Sequence, residues 1–526
     1  MIKTINLTLS QEICSNQEAL HLAIAQHLQI SAQQLSGFKL LRRSLDARGK
    51  LIKWALQIEA YMDQAIEETA PFLPIWKDVH DAPSAIVVGA GPAGLFAAIE
   101  LITKGIKPII IERGKEVRAR RRDLAAINKL GEVNAESNYC FGEGGAGTYS
   151  DGKLYTRSTK RGDVRTVLQY LVYFGADPSI LIDAHPHIGT NKLPKIISAI
   201  REQLIACGAE VRFETKLTDI FCKENVLKEI ELNNEERIPC SYLILATGHS
   251  ARDIYTLLDK KGIAIESKPY ALGVRIEHPQ SIIDTVQYKC DIKPEWLPPA
   301  SYSLVTQASG KGAFSFCMCP GGIIAPAATA PGEVVVNGWS PSKRNNPYAN
   351  SGTVVTVDEQ DFAKYGYTGP LAGMYYQQAI EQKAFVMGGG LLQAPAQRMI
   401  DFVNQQVSNS LPTCSYLPGI VSSSLQETLP KEIATALKIA LKDFGKKMKG
   451  YYTNEAVLVA TESRTSSPVR IPRDKTTLEH IQIKGLYPCA EGAGYAGGIV
   501  SAAIDGMNCA HQIALKILAM FLNHVH

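Results

Sequence analysis

The stretch Val87-Val88-Gly89-Ala90-Gly91-Pro92-Ala93-Gly94-Leu95-Phe96-Ala97 decides the fold of this chain. It connects an apolar run typical of a β-strand, residues 84–88, to a run typical of a helix, residues 92–104. A second apolar run, residues 108–111, ends at the acidic residue Glu112. Strand, glycine-rich turn, helix, strand and acid in this order predict a β-α-β unit with G-x-G-x-x-G at its first turn, a pattern typical of dinucleotide binding.

Each residue of the motif has a physical role in this prediction. Gly89 supplies the tight turn, Gly91 lets the backbone approach a pyrophosphate, and Gly94 lets the helix pack closely against the strand. Pro92 and Ala93 open the helix, and its first N–H groups and positive dipole end face the phosphates.

Glu112 and the basic residues after it are further candidates for contact with the nucleotide. We expect the carboxylate of Glu112 to accept hydrogen bonds from a ribose 2′-OH. The basic residues are Arg113, Lys115, Arg118, Arg120, Arg121 and Arg122. We interpret them as a solvated helix start, and the alternative is that the early members neutralise nearby phosphates.

Length and composition limit the class of protein. The 526 residues suffice for two or three domains. A hydrophobic fraction of 45% and a mean hydropathy of −0.04 are typical of a soluble globular protein. The net charge of +4 is slight for this length, so we expect no nucleic-acid partner.

Cysteine usage and the first residues suggest the compartment. The 11 cysteines include no zinc-like pair, so we expect no metal site. The N-terminal residues do not have the pattern of a signal peptide, which predicts reduced thiols and a cytoplasmic location. No apolar stretch approaches the ~20 residues that span a bilayer, so we expect no membrane span. The sequence leaves the oligomeric state open.

The order of apolar runs predicts an α/β protein with a discontinuous Rossmann-like domain. Residues 1–80 are predicted to form a small N-terminal α/β (ferredoxin-like) module. Residues 81–267 are predicted to form the first part of the dinucleotide-binding domain. Residues 268–465, rich in glycine, proline and strand-like runs, predict an inserted mixed α/β domain that covers the substrate. Residues 466–526 complete the first domain.

Three further segments contain chemistry-bearing patterns. Residues 140–154 hold four glycines within six positions, which excludes a helix or an ordinary strand. This segment is either a mobile loop or a loop whose N–H groups close on a flat or anionic ligand, and we favour the second. Residues 242–248 predict a strand that ends in an Ala-Thr-Gly turn. Residues 485–504 predict a strand, a glycine-rich turn with Glu491, and a helix of small residues.

These elements, in this order, resemble the two-dinucleotide-binding-domain flavoproteins of the glutathione reductase type. In that family an acid at the position of Glu491, more usually Asp, contacts the ribityl or pyrophosphate part of FAD. Other segments narrow the resemblance to a bacterial family of uncharacterised FAD-dependent dehydrogenases. These are Cys140 to Leu154, Phe316 to Gly322, Asn337 to Ser340, Glu462 to Arg470 and the closing glycine-rich stretch.

The resemblance covers essentially the whole chain and implies FAD as cofactor. By position, it implies that the ADP half is held by Gly89, Gly91, Pro92, Ala93, Gly94, Glu112, Arg113 and Leu217. It implies that the flavin side is held by Gly144, Gly145, Thr148, Thr247, Gly248, Glu491, Gly498 and Ile499.

Candidates for catalysis are few. Arg464 and Arg470 either clamp an anionic substrate or form ordinary inter-domain salt bridges. Cys317 and Cys319 are either a redox-active pair or, as we favour, packing residues, because a disulfide across one residue has poor geometry. His249 follows the Ala-Thr-Gly turn and is placed to reach the cofactor.

We therefore expect an FAD-dependent oxidoreductase that transfers hydride at flavin N5 to or from a small organic substrate bound between the FAD domain and the inserted domain. A second complete G-x-G-x-x-G is missing, so either NAD(P)H visits only transiently as an electron donor or another electron donor serves. The alternatives are a flavoprotein of RNA modification and a non-catalytic scaffold that uses residues 1–80.

Overall fold

The computed structural model describes residues 1–49, 51–68, 70–155 and 162–524, with side chains described through residue 520. The first half of the chain forms β1 (Ile2–Leu9), α1 (Gln11–Ser15), α2 (Gln17–Leu28), β2 (Leu35–Asp46), β3 (Lys53–Met62), β4 (Ser84–Val88), α3 (Pro92–Lys104), β5 (Lys107–Ile111), α4 (Val117–Leu130), α5 (Val164–Tyr173), α6 (Leu193–Ala206), β6 (Glu210–Arg212), β7 (Leu217–Lys223), β8 (Val226–Leu232), β9 (Glu236–Pro239), β10 (Leu243–Leu245) and α7 (Arg252–Lys260). The second half forms β11 (Glu266–Ser267), β12 (Tyr270–Pro279), α8 (Gln280–Tyr288), β13 (Val305–Ala308), β14 (Lys311–Cys319), β15 (Ile323–Pro326), β16 (Val336–Trp339), β17 (Tyr348–Val357), α9 (Glu359–Lys364), α10 (Ala372–Met387), β18 (Ala394–Arg398), α11 (Met399–Asn404), β19 (Ile420–Ser422), α12 (Leu425–Thr428), α13 (Lys431–Lys447), β20 (Val457–Glu462), β21 (Val469–Arg470), β22 (Leu486–Pro488) and α14 (Ile499–His524).

The first three strands form an antiparallel sheet in the order β1-β3-β2. Alternate residues of β1 share one face, where Ile5 and Leu7 are buried in one cluster with Ile24 of α2. The outer edge of β2 lies against the rest of the chain. There the guanidinium of Arg43 pairs with Asp183, with Nε 2.5 Å from Oδ1.

The sheet that contains the glycine motif is parallel and has the strand order β22-β10-β4-β5-β6. Helix α3 returns from the end of β4 to β5, which is the β-α-β unit that the sequence predicts. Strand β22 joins this sheet from near the end of the chain. Helix α14 then packs on α3 so closely that a Cβ added to Gly506 would lie 2.0 Å from the carbonyl oxygen of Ala93.

A second large sheet has seven strands in the order β13-β14-β17-β12-β20-β18-β19. Its central strand β12 is buried along nearly its whole length and pairs antiparallel with β17 and β20. Helix α13 packs on β12, β13, β14 and β17. Leu124 and Ile127 of α4 share a buried cluster with Val457 and Val459 of β20, which joins this sheet to the helices around the parallel sheet.

The predicted α/β class with a parallel sheet is confirmed. The domain limits at residues 80, 267 and 465 stay predictions. Among the described residues, none of the helices combines the length and the apolar character required to cross a bilayer.

Replacing Gly94 with alanine should destabilise the protein, whereas replacing Gly91 should not. A Cβ on Gly94 would lie 1.9 Å from the carbonyl oxygen of Gly89, so strand and helix must separate. A Cβ on Gly91 would meet only the Cα of Gly145, at 3.9 Å. We expect Gly94→Ala to lower the free energy of unfolding by about 2 kcal/mol or more, measured by urea denaturation. Equal stability of the two variants would contradict this packing.

Candidate active site

The turn after β4 leaves open space beside Gly91. Gly89 has a φ of +105°, and a Cβ added there would lie 2.3 Å from the carbonyl oxygen of Ala246. Gly91 has a φ of −76° and is the N-cap residue of α3, with no side-chain acceptor for the first N–H groups of that helix. Unpaired N–H groups and the positive end of the helix dipole at an open position form a site for an anion such as a pyrophosphate.

The carboxylate of Glu112 is buried and accepts three backbone hydrogen bonds. Oε2 accepts from the N–H of Ala90 (2.9 Å), and Oε1 accepts from the N–H groups of Gly114 (2.9 Å) and Gly142 (3.0 Å). Glu112 therefore ties the turn after β4 to the glycine-rich loop of residues 140–154. Oε2 keeps one accepting lone pair, and Glu112 lines the cavity described below. The hydrogen bond from a ribose hydroxyl to Glu112 stays a prediction.

Arg120 of α4 is fully buried and organises the glycine-rich loop. Its Nε donates to the carbonyl oxygen of Asn138 (2.8 Å), Nη1 to that of Glu143 (2.8 Å) and Nη2 to that of Tyr139 (2.9 Å). Burial lowers the pKa of the guanidinium, and the nearby carboxylate of Glu112 opposes this shift. The basic run had suggested that Arg120 is a solvated cation or a phosphate partner. Its burial and its bonds to the loop carbonyl groups exclude both interpretations.

The loop residues predicted to lie near a flavin divide between the cavity and the interior. Gly145 lies against the turn after β4, because a Cβ added to it would be 3.2 Å from the Cα of Gly91. Thr148 is buried, and its hydroxyl donates to the carbonyl of Glu143 at 2.7 Å. Gly144 faces Thr148 and Ile197. Gly145 alone of the three lines the cavity.

Two turns from distant parts of the chain meet at the ends of β10 and β22. A Cβ added to Gly492 would lie 2.8 Å from the carbonyl oxygen of Gly248, so the two backbones touch. Behind them, Asp505 of α14 accepts from the N–H of Ala490 (2.6 Å) and from Nη1 and Nη2 of Arg473 (2.9 and 2.6 Å). This ion pair fixes the position of the second turn.

The same two turns present polar and open surfaces to the cavity. Nδ1 of His249 lies 3.4 Å from Oε2 of Glu491. Gly248 and Gly498 have φ angles of +73° and +81°, and Cβ atoms added to them would meet no heavy atom of the described residues within 4 Å. Backbone of this kind allows a bound group to approach closely.

One cavity connects these features. The predicted site residues that line it are Gly89, Gly91, Pro92, Ala93, Glu112, Arg113, Gly145, Leu217, Thr247, Gly248, His249, Cys317, Arg464, Glu491, Gly498 and Ile499. The predicted residues off its wall are Gly94, Gly144, Thr148, Cys319 and Arg470. Phe316 of β14, Asn337 of β16 and Lys153 also line it, so the large sheet, the two-stranded sheet β15-β16 and the glycine-rich loop all contribute to its wall.

Arg113 lies over an aromatic ring at the cavity. Its guanidinium carbon is 4.5 Å from the ring centroid of Phe141. Nη2 donates to Asp253, and Nη1 lies 3.5 Å from Oε2 of Glu136. The guanidinium is held in a fixed plane, and its predicted position beside the adenosine stays a prediction.

Arg464 is part of a buried network of four charges. Nε and Nη2 donate to Glu381 (3.0 and 2.8 Å), and Nη2 also donates to Glu333 (3.0 Å). Arg252 of α7 pairs with the same two carboxylates (2.8 Å to Glu333 and 2.7 Å to Glu381). Nη1 of Arg464 donates to the hydroxyl of Thr329 (2.7 Å). The geometry therefore shows the salt-bridge alternative for Arg464, and the anion clamp stays a prediction.

Arg470 lies outside the cavity. It is exposed on β21, where its backbone is the strand partner of Glu266 in β11. Its guanidinium carbon is 5.8 Å from the ring centroid of Tyr495. Cys319 is fully buried behind Cys317, with its Sγ 3.5 Å from Nη2 of Arg275.

The sequence reasoning missed four residues that shape the site: Arg120, Asp505, Arg275 and Lys153. Arg120 left a readable signal, because it lies on the buried face of α4 with Val117, Leu124 and Ile127. Asp505, Arg275 and Lys153 left none, since their partners are far away in the sequence.

Comparisons with known proteins now assign the family. Residues 83–125 match the model of an FAD binding domain, residues 269–465 match "FAD-dependent protein, C-terminal domain-like", and residues 1–61 match a domain of unknown function (DUF8436). An uncharacterized protein of Clostridium beijerinckii is 40% identical over 534 residues, which cover 98% of each chain. The chain belongs to the family of this clostridial protein. The matches support a flavoprotein and FAD, and they do not support the glutathione-reductase-type subclass.

Solved structures give only distant likenesses. A crystal structure of the halogenase PltM covers 84% of this chain and 70% of its own, with 12% identity and a TM-score of 0.37. A glycine oxidase from Bacillus cereus covers 83% of this chain and 96% of its own, with 13% identity and a TM-score of 0.31. At these scores we draw no argument from either.

Arg120→Met should loosen the glycine-rich loop. The variant removes the Arg120 hydrogen bonds to the carbonyl groups of Asn138, Tyr139 and Glu143, of which the last keeps the hydroxyl of Thr148 as a donor. Each hydrogen bond from a charged group contributes about 1.5–3 kcal/mol. We expect a lower melting temperature and faster proteolysis within residues 134–155. The exposed Arg122→Met is the matched control and should behave as wild type. A loop that stays protected in the first variant would disprove this role.

Glu381→Gln should destabilise the protein in a pH-dependent way. Burial by itself would raise the pKa of Glu381, but Arg252 and Arg464 outweigh it and hold the pKa at about 2. The pKa of a Glu in the unfolded chain is about 4.3. The stabilisation of the folded state by ionised Glu381 is therefore complete above that pH and is lost as the pH falls toward about 2.

Urea unfolding at pH 7, 4.5 and 3 measures this effect. The gap between wild type and Glu381→Gln should be about 3 kcal/mol or more at pH 7 and should shrink at pH 3. The exposed Glu132→Gln is the control. A gap that does not depend on pH would show that the charge of Glu381 contributes nothing.

Proposed function

We propose that this protein is an FAD-dependent oxidoreductase that transfers hydride to or from a small organic substrate in the cavity described above. One observation supports this most: a single cavity is lined both by the glycine turn at Gly91 and by residues beyond the parallel sheet. These residues are Phe316 and Cys317 of the large sheet and Asn337 of the two-stranded sheet β15-β16. A dinucleotide on the first wall would bring its reactive end toward the second, where a substrate has room.

The residues present fit FAD. The uncapped start of α3 and the open space beside Gly91 suit the pyrophosphate. Leu217 and Arg113 line the cavity on the adenosine side, and Glu112 lies beside the turn. At the other end, the open backbone of Gly248 and Gly498 would accept the flat ring system. When bound, FAD supplies an acceptor and donor of hydride.

The chain's own residues supply position and charge. Helix α14 begins at Ile499 on the cavity wall, so its positive dipole end faces the region where we place the flavin. Nδ1 of His249 lies 3.4 Å from Oε2 of Glu491 on the same wall. His249 is the residue there best placed to hold or move a proton. We propose His249 as the acid or base and Glu491 as the residue that orients it, in addition to the contact with FAD that the resemblance implies for Glu491.

The subclass and the electron donor are separate questions. The FAD binding domain match supports FAD without supporting a glutathione-reductase-type mechanism, and the comparisons give no support to NAD(P)H. A donor is therefore to be identified by titration.

The visible spectrum of the purified protein tests the cofactor. We expect flavin absorbance and release of FAD, identified by its mass, from wild type. Gly91→Ala should fold normally and lose the flavin, because the new Cβ occupies the space of the pyrophosphate. A wild-type protein that stays colourless after incubation with excess FAD would overturn the proposal.

Anaerobic titration tests the redox role. We expect a small-molecule reductant to bleach the bound flavin, and NADH and NADPH are the first two compounds to try. His249→Gln should bind FAD with an unchanged spectrum and should lose most of the turnover with whichever substrate is found, about 100-fold or more. Full turnover in this variant would exclude His249 as the acid or base.

A further inference from the structure

Two thiols and a lysine meet at the wall of the cavity, where β14 has a bulge between Phe316 and Cys319. Nζ of Lys153 lies 3.6 Å from Sγ of Cys317 and 3.7 Å from Sγ of Cys319. Nζ also donates to the carbonyl oxygen of Met318. A cation at this distance stabilises a thiolate, which is the reactive form of cysteine.

Position decides which sulfur holds the negative charge. Cys317 is partly exposed and lines the cavity, whereas Cys319 is fully buried. A charge costs less free energy where solvent reaches it. The hydrogen bond with Cys317, and then burial, raise the pKa of Cys319. The same hydrogen bond, together with Lys153, lowers the pKa of Cys317 despite burial. The Sγ–H of Cys319 donates to the carbonyl oxygen of Cys317 at 3.3 Å. Cys319 therefore keeps its proton, and Cys317 is the thiol that ionises more readily.

The other charged groups around the thiols already have partners. Arg275 contacts Cys319, but its Nη1 pairs with Glu462 at 2.7 Å. Asp151 lies 3.6 Å from Nζ of Lys153 and opposes a thiolate, yet its nearer partner is Nη2 of Arg344, at 3.0 Å. His187 is close enough to Asp151 to influence its charge. Lys153 is therefore the cation whose charge acts most directly on Cys317.

We propose that Cys317 is the nucleophile of this cavity, a thiolate at neutral pH with Lys153 as counter-ion, and that it reacts with small electrophilic carbon compounds. The reaction forms one C–S bond, and the leaving group departs with the electron pair of the bond that breaks. It needs no oxidant or reductant. The inference deepens the proposed function, on which it rests for its substrate side, but its chemistry is testable without a bound flavin.

Alkylation by iodoacetamide measures the thiolate directly, since a C–S bond forms and iodide leaves. The full-length protein is treated between pH 6 and 9, and each cysteine is followed by peptide mass. Cys222 is an internal control, because its side chain is exposed to the reagent. Partial desolvation raises the pKa of its thiol above the ordinary value. At pH 6.5 we expect Cys317 to react about tenfold faster than Cys222 or more, although Cys317 is less exposed.

Two lysine variants test the counter-ion. Lys153→Met should slow alkylation of Cys317 at pH 6.5 by about tenfold or more, with its titration moved to higher pH. The exposed Lys195→Met should change neither. Circular dichroism and the rate at Cys222 show that each variant is folded.

The possible outcomes separate this inference from the proposed function. An ordinary thiol titration at Cys317, or an unchanged one in Lys153→Met, overturns the inference even if FAD binds. Fast alkylation at pH 6.5 in a chain that binds no FAD supports the thiolate and overturns the proposed function.

Discussion

Contact between backbones, without side chains in between, is the constraint on which this site depends. Gly94 touches the carbonyl of Gly89, Gly89 touches Ala246, and Gly492 touches Gly248. At each contact a Cβ would fall within 3 Å of a main-chain atom. Helix α3, the turn after β10 and the turn after β22 can therefore meet around one cavity only because glycine occupies these positions.

Buried arginines fix the position of the cavity wall around the open backbone of the glycine-rich turns. Arg120 donates to loop carbonyl groups, Arg275 binds the backbone of Cys317 as well as Glu462, and Arg464 lies between two carboxylates. A planar guanidinium with several fixed donors can bridge groups from distant segments, which the single charge of a lysine does poorly. Fixed wall groups of this kind reduce the reorganisation that a bound cofactor or substrate would demand.

The sequence predicted the part of the fold and site that local rules determine. The motif from Gly89 to Gly94, with strand, helix and second strand, follows from periodicity and glycine spacing, and the structure has the β-α-β unit there. The resemblance to known flavoproteins pointed to Glu491 and Ile499, and both line the cavity, although their predicted roles stay predictions.

What the sequence could not show is set by tertiary contacts. Arg464 was an equal choice between clamp and salt bridge, because Glu333 and Glu381 are 131 and 83 residues away. Lys153 gave no signal, since its sulfur partners are 164 and 166 residues away. Thr148 and Gly144 belong to a glycine-rich segment that faces both the cavity and the interior, and residue type alone does not separate the two faces.

The two ends of the cavity differ in how they are built, and this difference explains why the sequence predicts the cofactor more readily than the substrate. The end at Gly91 contains main-chain atoms and a helix start, which are features that bind phosphate groups in many proteins. The opposite end consists of side chains, Phe316, Cys317 and Asn337, which the bulge in β14 and the neighbouring strand β16 direct into the cavity. Substitution there changes what the cavity accepts without disturbing the backbone contacts that form it. We therefore expect these three residues and Lys153 to set substrate preference, and a search for substrates should start from compounds that suit a thiolate, an amide and an aromatic ring.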